Sequence, residues 1–363
     1  MAKRVSVDKS LFVVTLLLVF LGLVMVFSAS AVVAKERFGS PYTFVLRQFA
    51  WSLGGLAAMF ALMRVDYRRY KHPAVVFSLL GLTTLLLIAV FFLDRSHNTH
   101  RWIRFGGLSF QPSELAKPAL ILFLAWFLES RTRLMDDWRR TLIPAILPAG
   151  IISGLIVLQP DLGTGVACAV ITAVILFVAG IRLRYFAYAL APMPILFYFL
   201  VIRVTWRYNR ILAFLDPFAD PQGRGFHVIQ SMIAVGTGGL AGLGLMEGKQ
   251  KLFYLPEPHT DFIYAVIAEE FGLLGSLAVL ALFGVFLCRG VQAAIVTRDI
   301  FARYLATGIV AMVVVQAFIN ISVVLGLMPT KGIPLPFVSS GGSSLFVMLA
   351  SVGVLLNITQ QSE

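Results

Sequence analysis

The run Leu255-Pro256-Glu257-Pro258-His259-Thr260-Asp261-Phe262 sets two carboxylates, an imidazole and a hydroxyl at the mouth of a long apolar stretch. In a chain otherwise rich in hydrocarbon, such groups are costly unless they face water or a partner. Asp261 stands at the junction, where its carboxylate can face a polar cavity from the edge of a membrane. The chemistry this suits is proton abstraction by a general base. The plainer role for the same residue is a helix N-cap, and the two roles are compatible.

Other polar groups interrupt apolar sequence in a similar way. Arg101-Trp102-Ile103-Arg104 is followed by Gln111-Pro112-Ser113-Glu114-Leu115-Ala116-Lys117. Pro112 suits a first helical position, and Glu114 and Lys117, spaced i,i+3, then share one face. Either they form an internal pair that only fixes packing, or Lys117 reaches across a cavity to a partner, for which Asp261 is the candidate. Trp102 is either an interfacial belt residue or, beside two arginines, part of a groove. Gln159 and Asp161 belong to a tight turn, Gln159-Pro160-Asp161-Leu162-Gly163-Thr164. Arg203, Arg207 and Arg210 read as solvated surface. Gln230 and the following Gly236, Gly238, Gly239, Gly242 and Gly244 lack a P-loop lysine, so close packing or a re-entrant segment accounts for them better than a nucleotide site. In Lys331-Gly332-Ile333-Pro334-Leu335-Pro336-Phe337-Val338-Ser339-Ser340, the hydroxyls and the glycine amides beyond can cradle an anion near a helix N-terminus.

The elements that must hold these groups are membrane helices. The chain of 363 residues is 59% hydrophobic and 13% charged, with a mean hydropathy of +0.87. Soluble domains are about half apolar and a quarter charged. At roughly 20 apolar residues per crossing, the sequence predicts an all-α polytopic protein with about ten spans. These fall near 11–34, 44–63, 74–93, 115–129, 142–158, 164–181, 185–202, 262–288, 302–328 and 337–358. Unbroken runs of this length favour helices over a closed barrel, and the first is too long for a signal-peptide core. Cys168 and Cys288 show no redox or zinc spacing, and no nucleic-acid motif is present. Net charge is +12; cationic density is about twice as high on one set of loops, which places both termini in the cytoplasm. One membrane domain is expected over 1–363, with a long outer-face loop at about 203–261 between helices 7 and 8.

Together these segments resemble the SEDS (shape, elongation, division and sporulation) family. The likeness rests on Arg101-Trp102 and on QPSELAK (111–117), QPDLGT (159–164), FLDPFADPQGRG (214–225), QSMIAVGTGGLAGLG (230–244), LPEPHTDFIYAVIAEEFG (255–272) and KGIPLPFVSSGGSS (331–344). It covers nearly the whole chain and leans towards the division and sporulation branch. Ser340 stands where the family usually has an aromatic. The resemblance implies a peptidoglycan glycosyltransferase that joins lipid II units outside the bacterial cytoplasmic membrane. It also implies a class B penicillin-binding transpeptidase and other division or elongation proteins as partners.

On that reading Asp261 is the base and Lys117 orients it or keeps it ionised, with Glu114 positioning Lys117. Arg101 and Lys331 meet pyrophosphate; Glu257, His259 and Thr260 shape the loop. Trp102, Gln159, Asp161, Gln230, Ser339 and Ser340 complete the substrate groove. No cofactor is required, although a divalent cation (Mg2+ or Mn2+) bridging pyrophosphate is compatible; no compact metal-ligand cluster appears. Two other readings stay open: a lipid II flippase, and a non-catalytic scaffold for the transpeptidase.

Overall fold

Backbone amides and carbonyls have no water to bond in hydrocarbon, so each long apolar run closes its hydrogen bonds within itself as a helix. The computed structural model describes residues 7–94, 100–105, 108–135 and 137–361; of the expected cytoplasmic tails, about ten and five residues long, 1–6 and 362–363 lie outside the described residues. Its helices are α1 (Lys9–Phe38), α2 (Thr43–Arg64), α3 (Pro73–Leu93), α4 (Pro112–Glu129), α5 (Ile143–Leu158) and α6 (Leu162–Val178). There follow α7 (Leu183–Leu190), α8 (Met193–Phe197), α9 (Thr205–Leu215), α10 (Phe226–Thr237), α11 (Ile263–Val296), α12 (Ile300–Val324) and α13 (Gly342–Gln360). A two-stranded hairpin, β1 (Ile103–Phe105) and β2 (Leu108–Phe110), joins α3 to α4. Local signals set several starts. Asp8 accepts from the Leu11 amide, Asp299 from that of Phe301, and α3 and α4 both begin on a proline.

Among the described residues, seven helices are long and apolar enough to cross a membrane, α5 counting with the turn before it as Trp138–Leu158. The pair Leu183–Leu190 and Met193–Ile202, bent by 41°, supplies one more crossing, broken where Pro192 and Pro194 interrupt the ladder. With α4, which carries Glu114 and Lys117, and the shorter α6, the crossings coincide with the ten apolar stretches. The chain is a multi-pass helical membrane protein. Its ends agree with an even number of crossings, because the Asp8 amide lies 3.4 Å from Thr359 Oγ1. At the same end, Lys71 pairs with Glu129, Arg289 with Asp8, and Tyr67 donates to Asp299. The most apolar stretches of α12 and α13 are 78% and 72% buried against 22% for α2 and α3, so the former lie at the centre and the latter at the lipid-facing rim.

The expected span 262–288 is corrected in one respect. Gly272 has φ +65 and ψ −157 and breaks α11 into a half-helix, buried from Ile263 to Glu270, and a long crossing beyond it. The glycine-rich segment after α10 closes that break. The amides of Leu243 and Gly244 donate to the carbonyls of Glu269 and Glu270, and those of Leu273 and Leu274 donate to Gly239 and Leu240. Irregular backbone at membrane depth is tolerated where it is satisfied in this way. The long loop at about 203–261 therefore folds back into the bundle. Lys251, buried within it, reaches Ser28, which lies about 15 Å along α1 from Phe38 at 1.5 Å rise per residue.

Gly242 shows why glycine is needed. Its φ is +83, and a Cβ there would overlap the carbonyl of Glu270. Gly242→Ala should destabilise the fold by about 2 kcal/mol or more, read as a lower melting temperature in detergent. Gly81→Ala, where a Cβ meets nothing within 4 Å, should melt like the parent.

Candidate active site

Asp261 ends a turn-rich strap, residues 249–262, that rises from the broken helix to the end of the bundle where α1 meets α2. Its lower part hangs on Glu269, whose Oε1 accepts the amides of Lys249 and Gln250 at 2.8 and 3.1 Å. Higher up, Leu255 is buried and donates to Gln250 O, and Glu257 turns the chain with φ +47. The His259 ring packs on Phe44 with centroids 4.5 Å apart. Burial pulls the His259 pKa below the usual imidazole value, with the Glu257 carboxylate opposing the shift. No side chain caps the start of α11. The capping role open to Asp261 is not taken up.

The strap is fastened to the loop that precedes α13. Ser340 N donates to His259 O at 2.9 Å, and Ser339 Oγ donates to Thr260 O at 2.5 Å while accepting the Leu335 amide at 2.8 Å. These two serines, expected to cradle an anion, spend those groups joining two loops. Thr260 Oγ1 turns to Glu257 O at 3.3 Å.

Between the joined loops, α9 and α10 lies a cavity of about 190 Å³ that Asp261 shares with Arg210, Arg224, His227, Glu257 and Lys331. The Asp261 carboxylate makes no hydrogen bond among the described residues, and its Oδ2 lies 2.8 Å from where a Cβ on Gly332 would be. Burial first, then the negative charges of Glu257 and Asp161, push its pKa up from 3.8 to about 7, against the pull of Arg210 and Arg101. Burial lowers the Lys331 pKa, with Asp161 opposing and Arg210 adding to the shift. The Arg210 pKa falls for the same first reason. Folding thus raises the carboxyl above its unfolded value. Its protonated form contributes stability in full below about 3.8, and that contribution is lost as pH rises through about 7.

The anticipated pairing of Lys117 with Asp261 is replaced by another arrangement. Lys117 and Glu114 do form the i,i+3 pair, at 2.8 Å and fully buried, but the ammonium's second partner is Gln316 Oε1 at 2.6 Å. Glu114 also accepts from Ser344. The cation that acts most strongly on Asp261 is Arg210, which was read as solvated surface. Arg207, read the same way, is buried and donates to the carbonyls of Leu200 and Val157.

Arg101 binds the carbonyls of Gln159 and Pro160, which pins the 159–164 turn while its charge still reaches Asp261. Both it and Trp102 are oriented by main-chain bonds to Asp94 Oδ2. Gln159 donates to Leu87 O, and Asp161 caps α6 through Thr164 and accepts from Gln111. Gln230 is half-buried on α10, outside the lining of the Asp261 cavity. Sequence reading missed Arg210, Arg224 and His227 as site residues. Their one signal was position, Arg224 within the DPQGRG stretch and Arg210 and His227 to either side of it, in a loop too long to be a simple connection.

A cation-lined pocket around one half-buried carboxylate lies at the end of a bundle of about ten crossings, which defines a multi-pass helical membrane protein with a charged site. Residues 8–363 match the cell cycle protein family of FtsW, RodA and SpoVE, and the chain belongs to it. It is 44% identical over 340 residues to the probable peptidoglycan glycosyltransferase FtsW of Geobacter metallireducens, covering 93% of this chain and 90% of that one. It is 43% identical to stage V sporulation protein E of Bacillus subtilis, covering 99% of each. Among solved structures, a chain from a peptidoglycan synthase complex that coordinates polymerization and crosslinking superposes with a TM-score of 0.81 at 32% identity, over 98% of both chains. The rod shape determining protein RodA of Thermus thermophilus gives 0.72 at 28% identity, over 99% of this chain and 98% of that one.

Proposed function

We propose that the protein is a peptidoglycan glycosyltransferase that polymerises lipid II on the outer face of the bacterial cytoplasmic membrane, with both termini cytoplasmic. We place it beside a class B penicillin-binding transpeptidase in the machinery of division or sporulation. The observation that carries this reading is Asp261, a half-buried carboxylate with a pKa of about 7, opening into a cavity lined by Arg210, Arg224 and Lys331.

The reaction needs one base. Asp261 takes the proton of the acceptor sugar's 4-OH; the freed oxygen lone pair attacks the donor's anomeric carbon. The bond from that carbon to the lipid pyrophosphate breaks with both electrons leaving on the pyrophosphate. Because pyrophosphate departs readily, the second carboxylic acid of glycoside hydrolysis is unnecessary. Arg210, Arg224 and Lys331 neutralise the leaving charge, supported by Arg101 from behind the 159–164 turn. A pKa near operating pH is what a general base requires. No group of three or more His, Cys, Asp or Glu side chains suited to a metal occurs among the described residues. A divalent cation would find only Glu257 and Asp261 as carboxylates in the cavity lining, so no step is derived through one.

The break at Gly272 is the feature that favours a flippase, since discontinuous helices mark many transporters. Here its backbone groups are bonded to the glycine-rich segment rather than turned to a central pathway. Incubating the purified protein and its transpeptidase partner with lipid II in detergent separates the readings. Glycan strands support the enzyme; unreacted lipid II there, with transbilayer movement in vesicles, supports the flippase.

A further inference from the structure

Two uncharged amides lie one turn apart on α12, a largely enclosed membrane helix. Gln316 and Asn320 are both 2% exposed, and i,i+4 spacing puts them on one face. Buried amides are costly unless bonded, and these two are bonded to the loops of the active site. Gln316 accepts from the Lys117 ammonium at 2.6 Å and donates Nε2 to Pro334 O at 3.0 Å. Asn320 directs Nδ2 at two main-chain oxygens, Asp261 O at 2.8 Å and Ile333 O at 2.7 Å. Exchanging its amide atoms would set Oδ1 against both carbonyls, so the partners fix its orientation. Its Oδ1 is buried with no partner among the described residues; the donors are what the position uses.

We propose that Gln316 and Asn320 are positioning residues for the glycosyl transfer, and that Asn320 references the Asp261 strap and the Lys331 loop to a single atom. The proposal rests on the reading of Asp261 as the base. The ties through Ser339 and Ser340 join one loop to another; Asn320 joins both loops to a membrane helix. It is the tie that fixes where the carboxylate stands relative to Lys331. Gln316 performs the same service one turn along, gripping the neighbouring carbonyl and linking it to Lys117 and Glu114. Lys117 therefore reaches Asp261 through structure: ammonium, Gln316, the 333–334 main chain, Asn320, Asp261.

The test compares Asn320→Ala, Asn320→Ser, Asp261→Asn and the double variant Asn320→Ala with Asp261→Asn, each purified with the transpeptidase partner and assayed on lipid II. Misplacing a catalytic group by about 1 Å costs on the order of a hundredfold, so kcat of Asn320→Ala should fall at least tenfold. KM should stay within about twofold and the melting temperature close to that of the parent. Asn320→Ser, which keeps a single donor, should lie between Asn320→Ala and the parent. In the Asp261→Asn background, Asn320→Ala should remove nothing more, because its effect passes through the carboxylate. A parental kcat in Asn320→Ser or Asn320→Ala overturns the proposal, as does an equal fall in the Asp261→Asn background. Should Asn320→Ala fail to fold, Asn320→Ser decides alone. A full rate from Asp261→Asn overturns the base reading as well, so the two failures are distinguishable.

Discussion

Asp261→Asn should abolish glycan synthesis while leaving a folded protein that still binds lipid II. The substitution keeps the size of the side chain and removes only its ability to accept a proton. A positioned base is worth about 10²–10⁴ in rate, so kcat should fall at least a hundredfold with KM little changed. The side chain makes no hydrogen bond among the described residues and caps no helix, so stability has little to lose. Relieving a half-buried charge should, if anything, raise the melting temperature above pH 7. Asp261→Glu should recover only part of the rate, because Gly332 leaves room at Oδ2 for a carboxylate of one reach.

Lys251→Met should be the most damaging change outside the cavity. Lys251 Nζ lies 2.6 Å from Glu270 Oε1 and 3.0 Å from Ser28 Oγ, and Ser28 in turn donates to Glu270 at 2.7 Å. All three are at most 4% exposed. Removing the cation leaves a carboxylate alone in the interior, a loss of about 3–5 kcal/mol. The folded yield and the melting temperature in detergent should both fall sharply. Adding Glu270→Leu should return most of the lost stability, since a buried ion pair replaced by apolar groups is often neutral. If the single and double variants melt alike, the pair is not what holds the re-entrant strap to α1.

The crossings were legible because hydropathy is a local property and each span is written in consecutive residues. The Glu114–Lys117 pair was legible for the same reason, since i,i+3 spacing on one helix needs no knowledge of the fold. The partner of Lys117 was not. Gln316 stands 199 residues away, and a neutral amide in an apolar helix carries little signal of its own. Arg210 reads as an ordinary loop cation, and Arg224 only as part of the 214–225 stretch, because nothing in their neighbourhoods records that the loop folds back over Asp261. The glycines from 238 to 244 were recognised as a packing or re-entrant element. Their particular task became visible only with the kink at Gly272, which hydropathy passes over as continuous helix.

The central claim, that one carboxylate acts as the base of a glycosyl transfer, is tested most directly by a pH–rate profile. Lipid II polymerisation would be followed with the purified protein and its transpeptidase partner, the transpeptidase active site blocked, from pH 5.5 to 8.5. With the Asp261 pKa at about 7, the base is mostly protonated below that pH and mostly ionised above it. The parent rate should therefore rise about tenfold per unit below pH 7 and level off above it. Asp261→Asn should run flat and at least a hundredfold lower. An Asp261→Asn protein that polymerises lipid II at the parental rate, with the same rise through pH 7, would contradict the account.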